Sequence, residues 1–416
     1  MEIKYGKEKF KLEIPKERVL KTLKAAEKDG LDNPLKAVQA SLEDPIASNS
    51  LLDLLNKKEA QKIVVIVNDV TRYTPYNYML PPLLEVIERA GIKKEQVTFV
   101  VATGVHDPHS KKQNIDIFGE EIDRDYEFHH HDCDAEVVEI AKLSTGNTLK
   151  INKIVAEADF VIATGVILPH YMAGFSGGRK SILPGVADRD SIENNHANMV
   201  KVMAEAPSLE KNPINLEMFE AAEMLGVDFI INVVTNSNRE IVKVVSGDLK
   251  EAWSAGIDIS AEMYHVEIEE KVDAAVVSSG GFPRDINVYQ AQKALDHADH
   301  AVKKGGTIIW VAECSEGLGE ERFEKWMQEA KKPEDNIERI KKKFLIGGHK
   351  AYAISKVVKD KDVILISSLS KEKTETMFLQ KLDSLDEAVK YLEKKYNGDY
   401  TTYIMPQGSL TVPIEI

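Results

Sequence analysis

Short runs rich in valine and isoleucine recur along the chain, and longer segments with helical spacing of apolar residues separate them. Such runs are typical of strands that are buried on both faces of a sheet. Strands that alternate with helices form right-handed βαβ units, so the pattern predicts mostly parallel sheets. The predicted strands are Ile63–Val67, Val97–Val101, Phe160–Ala163, Phe229–Val234, Ala274–Val277, Thr307–Val311 and Val363–Ile366.

The length of the chain indicates more than one domain, because 416 residues exceed the usual size of a single hydrophobic core. One series of strands and helices closes near residue 263, and a second series begins at Asp273. We therefore predict two Rossmann-like α/β domains, over residues 1–265 and 266–416. Alternating apolar residues between positions 3 and 14 predict a hairpin that packs against the first domain.

Composition narrows the class of protein. The net charge of −14 argues against nucleic acid as a partner. The two cysteines, Cys133 and Cys314, are far apart and give no disulfide framework, which suits a reducing compartment. The N-terminus is too charged for a signal peptide, and no apolar run approaches the roughly 18 residues that cross a bilayer. We expect a cytoplasmic enzyme that acts on a small molecule and has no membrane partner.

A glycine-rich segment, residues 170–185, follows the third predicted strand and has the sequence HYMAGFSGGRKSILPG. Gly174, Gly177 and Gly178 permit left-handed backbone and a close approach of N–H groups to a ligand. Lys180 then lies where an anion or an electrophilic carbonyl would bind. Open α/β sheets bind ligands at the carboxyl ends of their strands, so this segment predicts a binding site.

The same segment nearly matches a phosphate-binding loop, G-x-x-x-x-G-K-[ST], between Gly174 and Ser181. Arg179 replaces the final glycine of that motif, and the following Ile-Leu-Pro-Gly interrupts the helix that such a loop needs. A nucleotide-binding phosphotransferase is therefore the less favoured alternative, and a purely structural turn is another.

Two histidines follow neighbouring predicted strands. His170 begins the glycine-rich segment, and His106 follows the second strand in Gly104-Val-His106. A single histidine at such a place would usually have a structural role. A pair facing one pocket can instead act as complementary acid and base on opposite faces of a substrate, as a racemase requires.

Other polar residues lie at predicted strand ends or on helices. Arg72, after the first strand, favours recognition of a carboxylate or phosphate by its planar guanidinium. Asp69 could equally cap a turn or hold a ligand hydroxyl. Tyr289 and Lys293 share one helix face. That face could bind a ligand or could simply be exposed to solvent.

Three consecutive histidines and a cysteine, within residues 129–133, suggest a metal cluster. Adjacent side chains of an extended backbone point to opposite faces and do not converge on one ion. We expect a surface loop there. A metal-binding module without catalysis, formed by this stretch with His196, is the third interpretation of the chain.

Taken together, the motifs resemble those of the nickel-pincer-nucleotide lactate racemase family over nearly the whole chain. The matching motifs are Asp69-Val-Thr-Arg72-x-Thr-Pro75, Gly104-Val-His106-x-Pro108, His170-x-x-x-Gly-Phe-Ser-Gly-Gly-x-Lys180-x-x-x-Pro-Gly185, Asn195-His196 and Tyr289-Gln290-x-x-Lys293.

The resemblance implies a cofactor, the nickel pincer nucleotide pyridinium-3-thioamide-5-thiocarboxylic acid mononucleotide. It implies that Lys180 carries this group through a thioamide bond and that His196 is a nickel ligand. Enzymes that synthesise the cofactor would then be partners of the protein. The residues implied in cofactor binding are Asp69, Ser176, Gly177, Gly178 and Lys180.

The resemblance also implies racemisation of a 2-hydroxy acid, with lactate as the expected substrate, in a cleft between the two domains. His106 and His170 match the acid/base pair, which acts on the hydroxyl while hydride moves between C2 and the pincer. The residues implied in substrate binding are Arg72, Tyr289, Gln290 and Lys293.

The chain departs from the family at one wall of the expected pocket. Characterised lactate racemases have a tryptophan in the region that corresponds to residues 347–352, and this chain has none there. His349 or Tyr352 could form that wall instead. Malate, 2-hydroxyglutarate or a sugar acid therefore remain alternative substrates.

Overall fold

The computed structural model describes residues 1–205 and 208–416, which form two compact units. The central unit comprises Glu27–Met263, and the terminal unit comprises Met1–Ala26 together with Tyr264–Ile416. The expected boundary near residue 265 thus lies beside the observed one, but the N-terminal residues join the terminal unit rather than the first domain. Each unit is an α/β structure around one large sheet.

The strands of both units are short and end in loops that carry polar residues. In chain order they are β1 (Glu2–Tyr5), β2 (Glu8–Lys11), β3 (Val19–Thr22), β4 (Ile63–Asn68), β5 (Val97–Ala102), β6 (Glu127–His130), β7 (Val137–Lys142), β8 (Thr148–Asn152), β9 (Phe160–Val166), β10 (Pro169–His170), β11 (Gly174–Phe175), β12 (Phe229–Thr235), β13 (Ile241–Gly247), β14 (His265–Ile268), β15 (Val272–Ser278), β16 (Val302–Val311), β17 (Asp362–Ile366), β18 (Gln380–Lys381), β19 (Thr402–Met405) and β20 (Val412–Glu415).

The α-helices alternate with these strands. In chain order they are α1 (Pro34–Glu43), α2 (Leu51–Lys58), α3 (Tyr76–Arg89), α4 (Lys111–Phe118), α5 (Glu120–Asp125), α6 (Lys153–Ala156), α7 (Arg189–Ala197), α8 (Met199–Glu205), α9 (Pro213–Leu225), α10 (Glu251–Tyr264), α11 (Val288–Ala301), α12 (Glu321–Glu329), α13 (Pro333–Lys342), α14 (Gly348–Asp360), α15 (Lys371–Glu375) and α16 (Leu385–Lys395). None of the helices that the structure describes is long and apolar enough to cross a membrane.

The large sheet of the central unit has the strand order β13-β12-β9-β4-β5-β6. All neighbouring pairs are parallel except β12 and β13. Its inner strands are mostly apolar because helices cover both faces, and every residue of β9 is buried. All the strands expected from the valine and isoleucine runs are present, and those of this unit deliver their carboxyl ends to one edge of the sheet.

The large sheet of the terminal unit is entirely parallel, with the order β18-β17-β16-β15-β19-β3. Its last strand, β3, comes from the N-terminus and pairs with β19. The N-terminal hairpin of β1 and β2 exists, but the expectation that it packs against the first domain is wrong. It packs in the core of the terminal unit through Ile3 and Leu12, and the Gly6 N–H donates to Asp285 at 2.7 Å.

Candidate active site

The glycine-rich segment folds back over the end of β9. After β9 the chain forms the two-residue strands β10 and β11, and a turn of 3-10 helix follows at Gly178–Ser181. Gly177 has a φ of 78°, and a Cβ atom built there would lie 2.5 Å from Oδ1 of Asn232. Because a side chain would collide with the neighbouring strand, glycine at this position lets the loop lie directly on the sheet.

Arg179 explains why the segment is not a phosphate-binding loop. Its side chain turns into the protein, is fully buried and lies over the Trp253 ring, with the guanidinium carbon 3.7 Å from the ring centroid. It donates to the Ala173 carbonyl at 2.9 Å and to Oδ1 of Asn215 at 2.9 Å. No α-helix begins at the loop, because α7 starts only at Arg189. These features remove the support for a phosphotransferase.

A cavity opens at the carboxyl ends of β4, β5 and β9. It brings together residues that are far apart in the sequence, and polar side chains from three loops face it. The residues that line it are Asn68, Asp69, Arg72, Ala102, Thr103, Gly104, His106, Val166, Ser176, Gly177, Lys180, Ser181, Pro184 and Gly185. The structure thus places six of the expected site residues around one space within the central unit.

His106 and Asp69 form a hydrogen-bonded pair beside this cavity. Nδ1 of His106 is 2.6 Å from Oδ2 of Asp69, and Thr71 donates to the other carboxylate oxygen at 2.7 Å. Burial alone would raise the pKa of Asp69, but the hydrogen bond and charge of His106 bring that pKa below its ordinary value. Since a carboxylate only accepts, Nδ1 carries the proton and Nε2 is left as the basic atom of His106.

His170 contacts the amine of Lys180, with Nε2 3.3 Å from Nζ. On the other side of its ring, Nδ1 accepts the backbone N–H groups of Met172 at 3.4 Å and Ala173 at 3.3 Å. Lys180 is 7% exposed and lines the cavity. The glycine-rich turn therefore holds an imidazole against an amine that lines the cavity.

His196 lies in the last turn of α7 and is buried. Burial lowers the pKa of His196 to about 3, so its imidazole is neutral at physiological pH. A hydrogen bond with the Ile192 backbone, one helical turn earlier, has the opposite effect on that pKa and orients the ring. A neutral imidazole with one oriented face is the form in which histidine binds a metal.

Arg72 and Ser176 complete the residues of the central unit that we expected in the site. Arg72 follows Asp69 in a turn closed by its N–H on the Asp69 carbonyl at 3.1 Å. Burial lowers the pKa of the Arg72 guanidinium, and the Asp69 charge works against that effect. The Ser176 hydroxyl donates to the Val166 carbonyl at 2.7 Å, so it fastens the loop to the end of β9. Gly178 donates its N–H to Oδ1 of Asn232 at 3.1 Å.

The expected substrate residues Tyr289, Gln290 and Lys293 lie in the first turns of α11, in the terminal unit. Nζ of Lys293 donates to Oε1 of Gln290 at 3.4 Å. Burial raises the pKa of the Tyr289 phenol. The ring of Tyr289 meets the edge of His349 with 5.9 Å between centroids. The two helices α11 and α14 thus bring the expected residues and His349 together within this unit.

Two residues near the expected ones were not singled out by the sequence. Lys350, next to His349, is buried and donates to Oε1 of Gln292 at 2.9 Å. Burial and then the charge of Lys293 lower the pKa of Lys350 to about 7. His109 accepts the Val70 N–H at 2.7 Å and so supports the loop that carries Asp69. Its place three residues after His106 was the available signal.

The histidine run at residues 129–131 is not the surface loop that we expected. His129 and His130 belong to the edge strand β6, and His131 is 1% exposed and bonds to the Ala187 carbonyl at 2.8 Å. The alternation along the strand separates the three side chains. Cys133 instead lies near Asp132 and Asp134, and Asp134 is paired with Arg189.

Comparison with known proteins agrees with the motifs. Residues 5–206 match the family described as Lactate racemase N-terminal domain, and residues 268–412 match Lactate racemase C-terminal domain. The chain is 35% identical to a lactate racemase of Thermoanaerobacterium thermosaccharolyticum over 98% of this chain and 97% of that protein. It is 32% identical to a lactate racemase of Lactiplantibacillus plantarum over 90% and 89% of the two chains.

The solved structure of the lactate racemase apoprotein from Thermoanaerobacterium thermosaccharolyticum is similar along the whole chain. Its TM-score is 0.93 at 32% sequence identity, and the match covers 100% of both chains. With both family domains matched and relatives above 30% identity over most of their length, the chain belongs to the lactate racemase family of isomerases.

Proposed function

We propose that this protein racemises a short 2-hydroxy acid and that the acid is lactate. The observation that carries the proposal is one imidazole that lines the cavity and a second imidazole that contacts a residue lining it. His106 lines the cavity with its Nε2 free of the Asp69 contact, and His170 contacts Lys180, which lines the same cavity. Two bases at one site can serve the two enantiomers of one substrate in turn.

The residues around Lys180 fit the nickel pincer nucleotide that the family resemblance implies. Lys180 is a buried amine at the cavity wall, suited to forming an amide-type bond. His196 is buried and neutral, and imidazole is a suitable nickel ligand. We assign Ser176, Gly177 and Gly178 to cofactor binding on the basis of the family motif. When bound, this group supplies the acceptor and donor of a hydride, chemistry that no side chain offers.

The protein's own residues then bind the acid and move a proton of its hydroxyl. Nε2 of His106 takes that proton from one enantiomer, and Asp69 stabilises the imidazolium that results. His170 is the second acid/base residue of the pair. Because each histidine acts on the oxygen, neither has to remove the weakly acidic hydrogen at C2.

Arg72 is the residue of the central unit that binds the substrate carboxylate, through its planar guanidinium. We assign substrate binding in the terminal unit to Tyr289, Gln290 and Lys293, on the basis of the family motif. A longer or more polar acid, such as malate, 2-hydroxyglutarate or a sugar acid, is the alternative substrate because the expected tryptophan is absent from residues 347–352.

The test uses protein produced together with the enzymes that synthesise the cofactor, which are its proposed partners. Single enantiomers of lactate and of the alternative acids are incubated with the loaded protein and separated by chiral chromatography. We expect either enantiomer of lactate to reach an equal mixture and His106→Ala to abolish the reaction. The proposal fails if no acid of the panel is racemised by fully loaded protein.

A further inference from the structure

The contact between His170 and Lys180 has a specific donor and acceptor pattern. Nδ1 of His170 faces the N–H groups of Met172 and Ala173, which can only donate. Nδ1 is therefore an acceptor, and the single proton of a neutral imidazole lies on Nε2. The Nε2–H then points at Nζ of Lys180, 3.3 Å away, and Nζ has to accept it.

An ammonium group cannot accept a hydrogen bond, because its nitrogen has no lone pair. The alternative, in which an ammonium donates to Nε2, would place a proton on Nδ1 against two other N–H groups. A neutral amine at Lys180 satisfies all of these contacts at once. The neutral amine is also the form of lysine that attacks a carbonyl carbon.

We propose that His170 has a second role, in which it holds Lys180 as a neutral, correctly placed nucleophile before the cofactor is attached. This inference rests on the proposed function, because it concerns the bond between Lys180 and the nucleotide. In that step the bond from Nζ to the carbon of a thiocarboxylate forms and the C–O bond breaks. The oxygen leaves as water, with one proton from the amine and one from solvent.

Attachment would also release His170 for its part in racemisation. The nitrogen of a thioamide is not basic and no longer accepts a hydrogen bond from Nε2. The contact that holds the amine therefore ends when the bond has formed. Loading and catalysis would use the same ring in sequence.

The experiment separates these two roles by measuring loading instead of racemisation. Wild type, Lys180→Ala, His106→Ala, His170→Leu and His170→Gln are each produced with the cofactor-synthesising enzymes, and the adduct is quantified by intact-mass spectrometry. Leucine and glutamine are similar in size, but only glutamine keeps a donor and an acceptor. Thermal unfolding of the apoproteins identifies a temperature at which every variant is folded.

We expect full adduct on wild type and on His106→Ala, and none on Lys180→Ala. His170→Leu should lose at least about tenfold in occupancy, and His170→Gln should recover most of it. Full loading of His170→Leu, or equal failure of the two folded His170 variants, would overturn the inference and leave the Lys180 tether intact. A wild-type protein that gains no adduct would instead overturn the tether itself.

Discussion

Replacing Asp69 with asparagine tests the proposal that its pairing with His106 makes His106 a base. The substitution keeps the size and shape of the side chain and removes only the charge that accepts the proton of Nδ1. The contact is short, at 2.6 Å, and the carboxylate is 4% exposed, so water cannot replace it easily. Asparagine can also present its own N–H to Nδ1, which would force the proton of His106 onto Nε2.

The magnitude follows from the kind of hydrogen bond that is lost. A hydrogen bond to a charged group contributes about 1.5–3 kcal/mol, compared with about 0.5–1.5 kcal/mol for a neutral one. At about 1.4 kcal/mol for each factor of ten, Asp69→Asn should lower kcat/KM about ten- to hundredfold. Thr71→Val is the matched control, because it removes the neutral hydrogen bond to the same carboxylate and leaves the charge. It should cost about tenfold or less.

The assay is chiral chromatography of lactate with equal concentrations of loaded protein, each confirmed by intact mass. Loading has to be equal because a decrease in cofactor would imitate a decrease in catalysis. If Asp69→Asn racemised lactate as fast as wild type, the proposed role of Asp69 in supporting His106 as a base would be refuted. A loss in Thr71→Val as large as that in Asp69→Asn would show that loop geometry, and not the charge, is what matters.

Two further predictions concern stability and are measured by urea unfolding of the apoprotein. Arg179→Met should lower the free energy of unfolding by at least about 3 kcal/mol, because it leaves the buried acceptors that Arg179 contacts unsatisfied. The control is Arg124→Met at an exposed position, which should change the free energy of unfolding by less than about 1 kcal/mol. An equal effect of the two substitutions would contradict this account of the loop. His297 is buried, and this burial lowers its pKa to about 4, so below pH 6.5 the unfolded chain takes up a proton that the folded protein does not. The free energy of unfolding should therefore fall as pH decreases from 6.5 towards 4, by up to about 1.4 kcal/mol per pH unit from this residue. His297→Asn should reduce that slope and the exposed His300→Asn should not; an unchanged slope in His297→Asn would be inconsistent with a neutral His297.

Local patterns were sufficient to predict the strands and the edge of the sheet at which the cavity opens. Runs of β-branched residues such as Ile63–Val67 have few alternatives to a buried strand, and parallel strands bring their carboxyl ends to one edge. The sequence could not show that the N-terminal strand β3 joins β19, because edge pairing depends on which sheet has an edge available. Alternation alone specifies a strand and not its neighbour.

The chemistry of individual side chains was harder to predict where distant partners decide it. From the sequence, Asp69 could cap a turn or bind a ligand hydroxyl. The structure shows that it contacts His106, because β4 and β5 are neighbouring strands. Arginine is usually exposed at the surface, yet the guanidinium of Arg179 is buried. There it donates to backbone carbonyls of its own loop and lies over the Trp253 ring. No local pattern reveals such a partner set.

The most direct test of the account follows the hydrogen at C2. Lactate carrying deuterium at C2, as a single enantiomer, is incubated in ordinary water with the loaded protein, and the opposite enantiomer is isolated by chiral chromatography. Under the proposed mechanism the histidines act on the hydroxyl and hydride returns to C2, so the product should keep its deuterium, as seen by mass spectrometry. Replacement of the deuterium by solvent hydrogen at the rate of racemisation would contradict the account.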